Sequence, residues 1–209
     1  MAVRTIGKTL TYGQLQERIV QAAEAFRENG IDGRSCVALN TDRSLSALTA
    51  GLALALIGCK WVFASREALN NPLLFITHLV HDEPRKSSFS YKSVIMAESW
   101  HSRNGSKPGL SPSLLAGRNG PDDILVIGQS SGTTGEPKFF PITAENAIKR
   151  INPKFLLDPS PMPVVASVFH VVHAAIYFVL LRVFAKGGTV VFGANKAHWL
   201  EAGVTMLMA

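Results

Sequence analysis

The chain has 209 residues, of which 47% are hydrophobic, and it carries a formal net charge of +6 with an isoelectric point near 9.6. Such a chain is globular and can bury a core, as one domain or two small ones. The positive charge suits an acidic partner. The basic residues are scattered, however, and no nucleic-acid motif with interleaved aromatic residues is present. This pattern argues against nucleic acid and favours small anionic ligands.

The first predicted helix begins after Thr11. Thr11 and Gln14 match a capping box, in which the side chain of each residue accepts a hydrogen bond from the backbone amide of the other. Apolar residues then recur at helical spacing as far as Phe26. Gly30 follows and is expected to end the helix as a C-cap glycine.

Strand and helix patterns alternate along much of the remaining chain. This alternation predicts an α/β fold built on a mostly parallel sheet with flanking helices. Polar residues and glycines over 100–120 predict an exposed loop rather than a linker between domains. The predicted strands are 35–40, 60–64, 93–96, 124–127 and 204–208, and the predicted helices are 44–58, 66–80 and one capped by Thr143 that ends near Ile151.

Cys36 and Cys59 both lie in apolar runs and lack the spacing of a metal site. We expect them to be buried free thiols. Together with the absence of a charged and then apolar leader, this cysteine usage favours a cytoplasmic protein.

Residues 162–181 form an apolar stretch about long enough to cross a bilayer. The stretch contains Pro163, His170 and His173, and it lies inside the α/β pattern. A buried strand and helix are therefore the preferred interpretation, and no membrane span is expected.

A loop rich in serine, threonine and glycine follows the strand predicted over 124–127. Its glycines let the backbone approach a ligand, and its hydroxyl groups can bind an anion. Successive exposed amides form a partly positive concave surface, to which Lys138 adds a mobile charge. The ligand that this loop suggests is a polyphosphate. The candidate binding residues are Ser130, Ser131, Gly132, Thr133, Thr134, Gly135 and Lys138.

This loop differs from the common P-loop, which requires Ser or Thr directly after the lysine. Here Phe139 follows Lys138. The run from Ser130 to Lys138 instead resembles the phosphate-binding signature of the adenylate-forming superfamily. That superfamily includes acyl-CoA and aryl-CoA synthetases, the adenylation domains of peptide synthetases, and luciferases. An ordinary Ser/Gly/Thr connection is the alternative interpretation.

Shorter segments before the loop are similar to the same superfamily and occur in the same order. Each match alone is weak, but their order and their distance from the loop strengthen the resemblance. After the loop, Gly187 to Phe192 is similar to the glycine pair and valine-rich strand of the superfamily. The matching segments before the loop are Thr11-Tyr12, Leu15, Gly30-Ile31, Val37-Ala38-Leu39, Ala50 to Gly58 and Trp61-Val62-Phe63.

The resemblance implies an ATP-dependent carboxylic acid ligase. In this superfamily a carboxylate attacks the α-phosphorus of ATP to give an acyl-adenylate and pyrophosphate. The thiol of coenzyme A or of a phosphopantetheine arm then usually takes the acyl group. ATP, Mg²⁺ and a small carboxylic acid are thus the implied ligands, with Lys138 as the catalytic cation. The sequence identifies neither a protein ligand for the metal nor the acid.

Phe169-His170 stands where superfamily members often carry Phe-His at the start of a helix that lines the acyl pocket. The resemblance therefore implies that His170 lines the substrate pocket, and a hydrogen-bonded core histidine is the alternative. His173 lies three residues further on and would share a helical face with His170. No third ligand lies near this pair, so no metal site is expected.

The chain departs from the superfamily at several positions. Phe139 replaces a frequent glycine, Ala144 replaces a histidine after Thr143, and His173 stands where a glycine is common. The segments that hold adenine, ribose and metal, and the small C-terminal domain with its lysine, are not found. We therefore expect residues 1–209 to be a partial N-terminal AMP-binding domain, without the C-terminal domain and without turnover on its own.

Two further expectations follow. The strand over 204–208 would leave an unpaired edge or an apolar patch, which favours self-association. The alternative function, from another class, is a non-catalytic module that retains the phosphate loop for nucleotide binding or assembly.

Overall fold

A computed structural model describes residues 1–83, 91–97, 100, 120–130, 137–152, 162–167, 171, 173–193 and 196–208. The loop predicted over 100–120 lies outside these residues, except for its two ends. The strands are β1 (Val3–Thr5), β2 (Lys8–Leu10), β3 (Cys36–Asn40), β4 (Lys60–Phe63), β5 (His78–His81), β6 (Lys92–Ile95), β7 (Ile124–Gln129), β8 (Phe139–Thr143), β9 (Val164–Ser167), β10 (Thr189–Phe192) and β11 (Met206–Met208). The helices are α1 (Tyr12–Glu28), α2 (Ser44–Ile57), α3 (Arg66–Asn70), α4 (Ala144–Ile151), α5 (Ala174–Ala185) and α6 (Lys196–Glu201), with a 3₁₀ turn at Pro72–Leu74.

The described strands form two sheets. The six-stranded sheet has the order β6-β5-β3-β4-β7-β8, and all of its neighbours are parallel except β7 and β8. The five-stranded sheet has the order β11-β9-β10-β1-β2, and only β1 and β2 are antiparallel. The prediction of a mostly parallel α/β fold is confirmed, but its strands are divided between two sheets.

The main hydrophobic core lies between the two sheets and includes α1, α2 and α5. Alternate residues of β3 show how the sheet divides its two faces. Val37 and Leu39 belong to this main core, whereas Cys36 and Ala38 belong to a smaller cluster on the opposite face. Side chains that alternate along a strand therefore bury both faces of the six-stranded sheet.

Helix α2 is buried along most of its length, as its nearly continuous apolar sequence predicts. It passes very close to an aromatic cluster at Gly51. A Cβ atom at Gly51 would lie 2.9 Å from Cε2 of Tyr177 and 3.0 Å from Cζ2 of Trp61. Glycine at this position lets the helix backbone approach the two rings.

The predicted capping box of α1 is confirmed. The Thr11 hydroxyl accepts from the Gln14 amide at 3.2 Å, and the Gln14 side chain accepts from the Thr11 amide at 2.9 Å. The C-cap residue is Asn29 rather than Gly30, which follows it with a left-handed φ of +86°. The helix thus ends one residue earlier than predicted.

The helix predicted over 66–80 is wrong. This segment holds α3, the 3₁₀ turn at Pro72–Leu74 and β5. Pro72 lacks a backbone donor and disfavours a helical conformation at Asn71. Asn71 accepts from the Leu73 amide at 3.0 Å and so starts the 3₁₀ turn instead. The prediction did not take into account that Pro72 ends the helix.

The structure confirms the strand and helix predicted within 162–181, the strand predicted over 204–208 and the two buried thiols. The apolar stretch 162–181 contains β9 and the start of α5, and within the described residues no helix is long and apolar enough to cross a membrane. The strand predicted over 204–208 is β11, which lies at an edge of the five-stranded sheet. Cys36 and Cys59 are buried free thiols.

Candidate functional site

The carboxyl ends of β3, β4, β5, β6 and β7 lie along one edge of the six-stranded sheet, because these strands are parallel. In register, Leu39 lies opposite Phe63, and Val62 lies opposite Ile127. In open α/β sheets, ligands bind outside this carboxyl edge. The candidate phosphate loop follows β7 and therefore begins at this edge.

Ser130 and Lys138 close the candidate phosphate loop. The Ser130 amide donates to the Lys138 carbonyl at 2.9 Å, and the Lys138 amide donates to the Ser130 hydroxyl at 3.3 Å. This pairing continues the antiparallel ladder from Gln129, which lies opposite Phe139. The antiparallel pairing of β7 and β8 therefore holds Ser130 and Lys138 next to each other.

The sequence did not lead us to expect β8, although Phe139 to Thr143 includes aromatic and β-branched residues that favour strands. Pro141 lies within this segment, and a proline argues against a strand when only the sequence is considered. A proline is tolerated here because β8 is the last strand of its sheet in the described part of the chain. The tertiary pairing with β7 thus adds a strand between the loop and α4.

The base of the hairpin is tightly packed at Gly128. A Cβ atom at this position would overlap the ring of Phe140, which lies opposite Gly128 in register. The Phe140 side chain is 38% exposed, so the ring covers the glycine from the solvent side. Gly128 therefore allows the aromatic ring to lie directly against the strand that leads into the loop.

The predicted site residues are only partly described by the structure. Ser130 and Lys138 are brought together, and the Lys138 side chain is exposed. No ion pair joins Lys138 to a carboxylate of the described residues, which leaves its charge available to a ligand. Five predicted loop residues and the predicted pocket residue lie outside the described part of the chain. They are Ser131, Gly132, Thr133, Thr134 and Gly135 of the loop, and His170 of the pocket.

Glu67 lies beside the end of β7. The pKa of Glu67 is lowered from its ordinary value by its own backbone amide, the Ser65 hydroxyl and, least, the Gln129 side chain, because these donors favour the charged carboxylate. Gln129 directly precedes Ser130, so the start of α3 lies near the start of the loop. The sequence offered no signal for it, since these residues lie far apart in the chain.

A second polar cluster holds the carboxyl ends of β3, β5 and β6 together. The Thr41 hydroxyl and the Asp42 amide both donate to the Asp82 carboxylate, the second at 3.1 Å. His81 is buried, and its Nε2 lies 2.5 Å from the Ser93 hydroxyl. These bonds link the ends of β3 and β5, and they link β5 to β6, on the side of the sheet away from β7.

The described residues contain no group of His, Cys, Asp and Glu side chains that could hold a metal ion. His173 is the N-cap residue of α5 and makes no side-chain capping bond. Whether it shares a helical face with His170 stays a prediction, because His170 is not among the described residues.

The sequence matches the model of the family described as AMP-binding enzyme over residues 1–208. A nonribosomal peptide synthetase, tcpP from Claviceps purpurea, is 26% identical over 226 residues, which cover 95% of this chain and 11% of that protein. Tyrocidine synthase 3 from Brevibacillus parabrevis is 27% identical over 150 residues, which cover 68% of this chain and 2% of that protein. The chain thus spans a small part of each of these relatives.

Solved structures show the same fold. O-succinylbenzoate coenzyme A synthetase (MenE) from Bacillus subtilis, in complex with AMP, gives a TM-score of 0.78 at 19% identity, covering 100% of this chain and 57% of that chain. The N-terminal subdomain of NpsA from Klebsiella oxytoca gives a TM-score of 0.77 at 22% identity, covering 99% of this chain and 57% of that chain. The chain therefore spans somewhat more than half of each structure.

Proposed function

The chain belongs to the AMP-binding enzyme family, and from this membership we propose that it is the phosphate-binding, N-terminal part of an ATP-dependent carboxylic acid ligase. The hairpin closed by Ser130 and Lys138 at the carboxyl edge of a parallel sheet is the observation that carries this proposal. A loop held at both ends can present its amides and hydroxyls to a ligand without much loss of chain entropy on binding.

The proposed reaction forms an acyl-adenylate. A carboxylate oxygen attacks the α-phosphorus of ATP, and the bond from that phosphorus to the oxygen shared with the β-phosphate breaks. Pyrophosphate leaves with the electron pair of the broken bond. In a second step the thiol of coenzyme A or of a carrier-protein phosphopantetheine attacks the acyl carbon, and AMP leaves.

The proposed task of the loop is to hold the β- and γ-phosphates. The hydroxyls and amides of residues 130–135 would donate to phosphate oxygens, and Lys138 would offset the negative charge that develops on pyrophosphate. Fixing the phosphates also orients the α-phosphorus for attack from the opposite side. Mg²⁺ would bind phosphate oxygens, and no step is assigned to a protein ligand of the metal.

We propose that His170 lines the acid-binding pocket. It follows β9, and β9 belongs to the five-stranded sheet rather than to the sheet that carries the loop. The acid and the phosphates would then contact residues that follow different sheets.

Names of related proteins support the proposed chemistry. MenE is named as a coenzyme A synthetase, and it has been solved with an acyl-adenylate intermediate, OSB-AMP. The NpsA subdomain has been solved with 3-hydroxybenzoyl-AMSN. The relative tcpP is named as a nonribosomal peptide synthetase. These activities belong to those proteins, and their transfer to this chain is the proposal.

Titration calorimetry of ATP with Mg²⁺ into the 209-residue chain tests the proposal. We expect saturable binding that Lys138→Ala weakens by about tenfold, because a charge-assisted contact to phosphate is lost. Lys149→Ala is the matched control: Lys149 is also an exposed lysine, and its ion pair with Glu145, at 2.9 Å, lies on helix α4. This control should bind ATP like the unchanged chain.

Two results would contradict the proposal. The first is ATP binding that both lysine variants retain in full, which would mean that the loop is not the binding site. The second is a longer protein, including the segments C-terminal to residue 209, that binds ATP but catalyses no exchange of pyrophosphate into ATP with any carboxylic acid. That outcome would favour a non-catalytic nucleotide-binding module.

A further inference from the structure

Strands β5 and β6 bring a histidine and a serine together on one face of the six-stranded sheet. Leu79 lies opposite Ser93 in register, and His81 lies opposite Ile95. Side chains two residues apart point to the same face of a strand. His81 and Ser93 therefore share the face on which Leu79 belongs to the smaller hydrophobic cluster. Nε2 of His81 lies 2.5 Å from the Ser93 hydroxyl, so the two side chains form a hydrogen-bonded dyad.

The backbone carbonyl of Glu83 determines which ring nitrogen of His81 carries the hydrogen. Nδ1 of His81 contacts this carbonyl oxygen, which can only accept a hydrogen bond. The neutral imidazole therefore carries its hydrogen on Nδ1 and presents a lone pair at Nε2. The Ser93 hydroxyl then donates to Nε2. This is the arrangement of a nucleophile and its general base, in which a third group orients the base.

The carbonyl takes the place that a carboxylate has in a Ser-His-Asp triad. The nearby Asp82 carboxylate is engaged elsewhere, because it accepts from the Thr41 hydroxyl and from the Asp42 amide. A neutral carbonyl stabilises an imidazolium less than a carboxylate does. We therefore expect the serine of the dyad to be less reactive than the serine of a full triad.

The serine of the dyad is accessible, whereas its base is not. His81 is only 1% exposed, but Ser93 is an exposed residue. It lies on β6, which is the last strand of its sheet in the described part of the chain. A small molecule can therefore reach the Ser93 hydroxyl while the imidazole stays shielded from water.

The outer edge of β6 also supplies a backbone donor. The Lys92 amide donates towards β5, to the Thr77 carbonyl, at 3.0 Å. The Met96 amide donates to the His81 carbonyl at 2.8 Å. Backbone groups alternate in direction along a strand, so the Ser93 amide points away from β5, to the side on which the described residues place no further strand. This amide can donate to the oxyanion that forms when a carbonyl group is attacked.

The geometry points to Ser93 as a nucleophile that takes an acyl group from an activated ester. Oγ of Ser93 attacks the carbonyl carbon of the ester, and the hydroxyl proton passes to Nε2 of His81. The bond from that carbon to the alcohol oxygen breaks, and the alcohol oxygen leaves with the electron pair of the bond. His81 then gives the proton to the leaving group or to water. The product is an ester of Ser93.

The neighbours of Ser93 favour a short apolar acyl group. Ile95 lies two residues further along the same face and is 43% exposed. Tyr91 lies two residues before Ser93 and packs against the smaller hydrophobic cluster. An apolar acyl chain attached to Ser93 can cover these two side chains and remove apolar surface from water.

The dyad is separate from the candidate phosphate loop. Four strand spacings divide β6 from β7 in the six-stranded sheet, which amounts to about 19 Å. Acylation of Ser93 by an ester needs no nucleotide. The inference therefore does not depend on the proposed ligase activity, and its test contains no ATP.

The test is incubation of the 209-residue chain with p-nitrophenyl butyrate, followed by digestion and mass spectrometry of the peptides. We expect one butyryl group on Ser93, together with release of p-nitrophenolate. Ser44, at the start of α2, is the comparison serine, because no hydrogen bond joins it to a histidine among the described residues. Absence of the butyryl group from Ser93, or equal labelling of Ser44 and Ser93, would overturn the proposal.

His81→Gln distinguishes a general base from a histidine that only ties two strands together. Glutamine can still form hydrogen bonds with the Ser93 hydroxyl and the Glu83 carbonyl, but it cannot take the serine proton. We expect the labelling of Ser93 to be about a hundredfold slower in this variant. An unchanged labelling rate would refute the role of His81 as a base.

A pair of cysteine variants keeps the test decisive if His81→Gln does not fold. Ser93→Cys places a thiol beside the imidazole, and Ser44→Cys is the matched control. A neighbouring base raises the thiolate fraction, so the thiol of Ser93→Cys should react with iodoacetamide about tenfold faster. Cys36 and Cys59 are buried and should contribute little to the reaction. Equal rates for the two variants would refute the proposed activation.

Discussion

Ser130 and Lys138 are joined by a backbone hydrogen bond of 2.9 Å, and the Lys138 amide lies 3.3 Å from the Ser130 hydroxyl. The residues that begin and end the candidate phosphate loop are therefore neighbours across a β-hairpin. Ser130 has two roles in this arrangement: its hydroxyl supports the hairpin, and we propose that it also belongs to the phosphate site.

Ser130→Ala separates these roles. The backbone bond to Lys138 survives this change, so urea denaturation should show a loss of about 1 kcal/mol or less in the free energy of unfolding. The binding free energy for ATP with Mg²⁺ should fall by more than this loss of stability. The reason is that the Ser130 hydroxyl both accepts from the Lys138 amide and is proposed to donate to a phosphate oxygen. Calorimetry measures this affinity. An affinity that equals that of the unchanged chain would remove Ser130 from the proposed site.

Gly188→Ala should destabilise the fold strongly. A Cβ atom there would lie 2.5 Å from the Pro163 carbonyl oxygen and 2.8 Å from Cγ1 of Val183. The first contact is with backbone, which cannot rotate away. We expect a loss of about 3 kcal/mol in the free energy of unfolding, measured by urea denaturation.

Gly128→Ala is the control for Gly188→Ala. The three atoms nearest to its new Cβ atom would all belong to the ring of Phe140, which is 38% exposed and which we expect to turn outward. The loss of stability should therefore be smaller than for Gly188→Ala. A larger loss for Gly128→Ala would mean that the Phe140 ring is held more firmly than its exposure indicates.

His78 should make stability depend on pH. Burial lowers the pKa of His78, the Lys92 ammonium lowers it further, and Asp32 opposes the shift. As the pH falls, His78 therefore binds a proton near pH 6.5 in the unfolded chain, and only at a lower pH in the folded chain. Stability is complete above that pH and falls as the pH decreases through 6.5 towards the folded pKa.

Urea denaturation between pH 5 and 8 measures this dependence, and His78→Gln should flatten it. Lys92→Gln should raise the pKa of His78, as followed by NMR of the imidazole ring. An unchanged pH profile in His78→Gln would assign the dependence to other groups.

The outer edge of β11 should support self-association. This strand pairs only with β9 in the described part of the chain, and Met206 and Leu207 are 46% and 49% exposed. Sedimentation velocity should show an average mass that rises with protein concentration. Leu207→Lys should suppress the rise, because a charge on an edge strand disfavours pairing between copies. A chain that stays monomeric at all concentrations would contradict this prediction.

Several features were determined by the sequence alone, because their interactions are local. The capping box at Thr11 and Gln14 starts α1 through bonds between residues three apart. The nearly continuous apolar run of α2 predicts its burial. The family was also identified from sequence, since the run from Ser130 to Lys138 is long and unusual in composition.

Other features were decided by the tertiary structure, because strand pairing joins residues that are distant in the chain. The division into two sheets depends on β1 pairing with β10, with Val3 opposite Val190. Residues 139–143 form β8 because they pair with β7. Pro141 argues against a strand when the sequence alone is considered. No local pattern encodes such contacts, since they exist only after the helices between the sheets have packed.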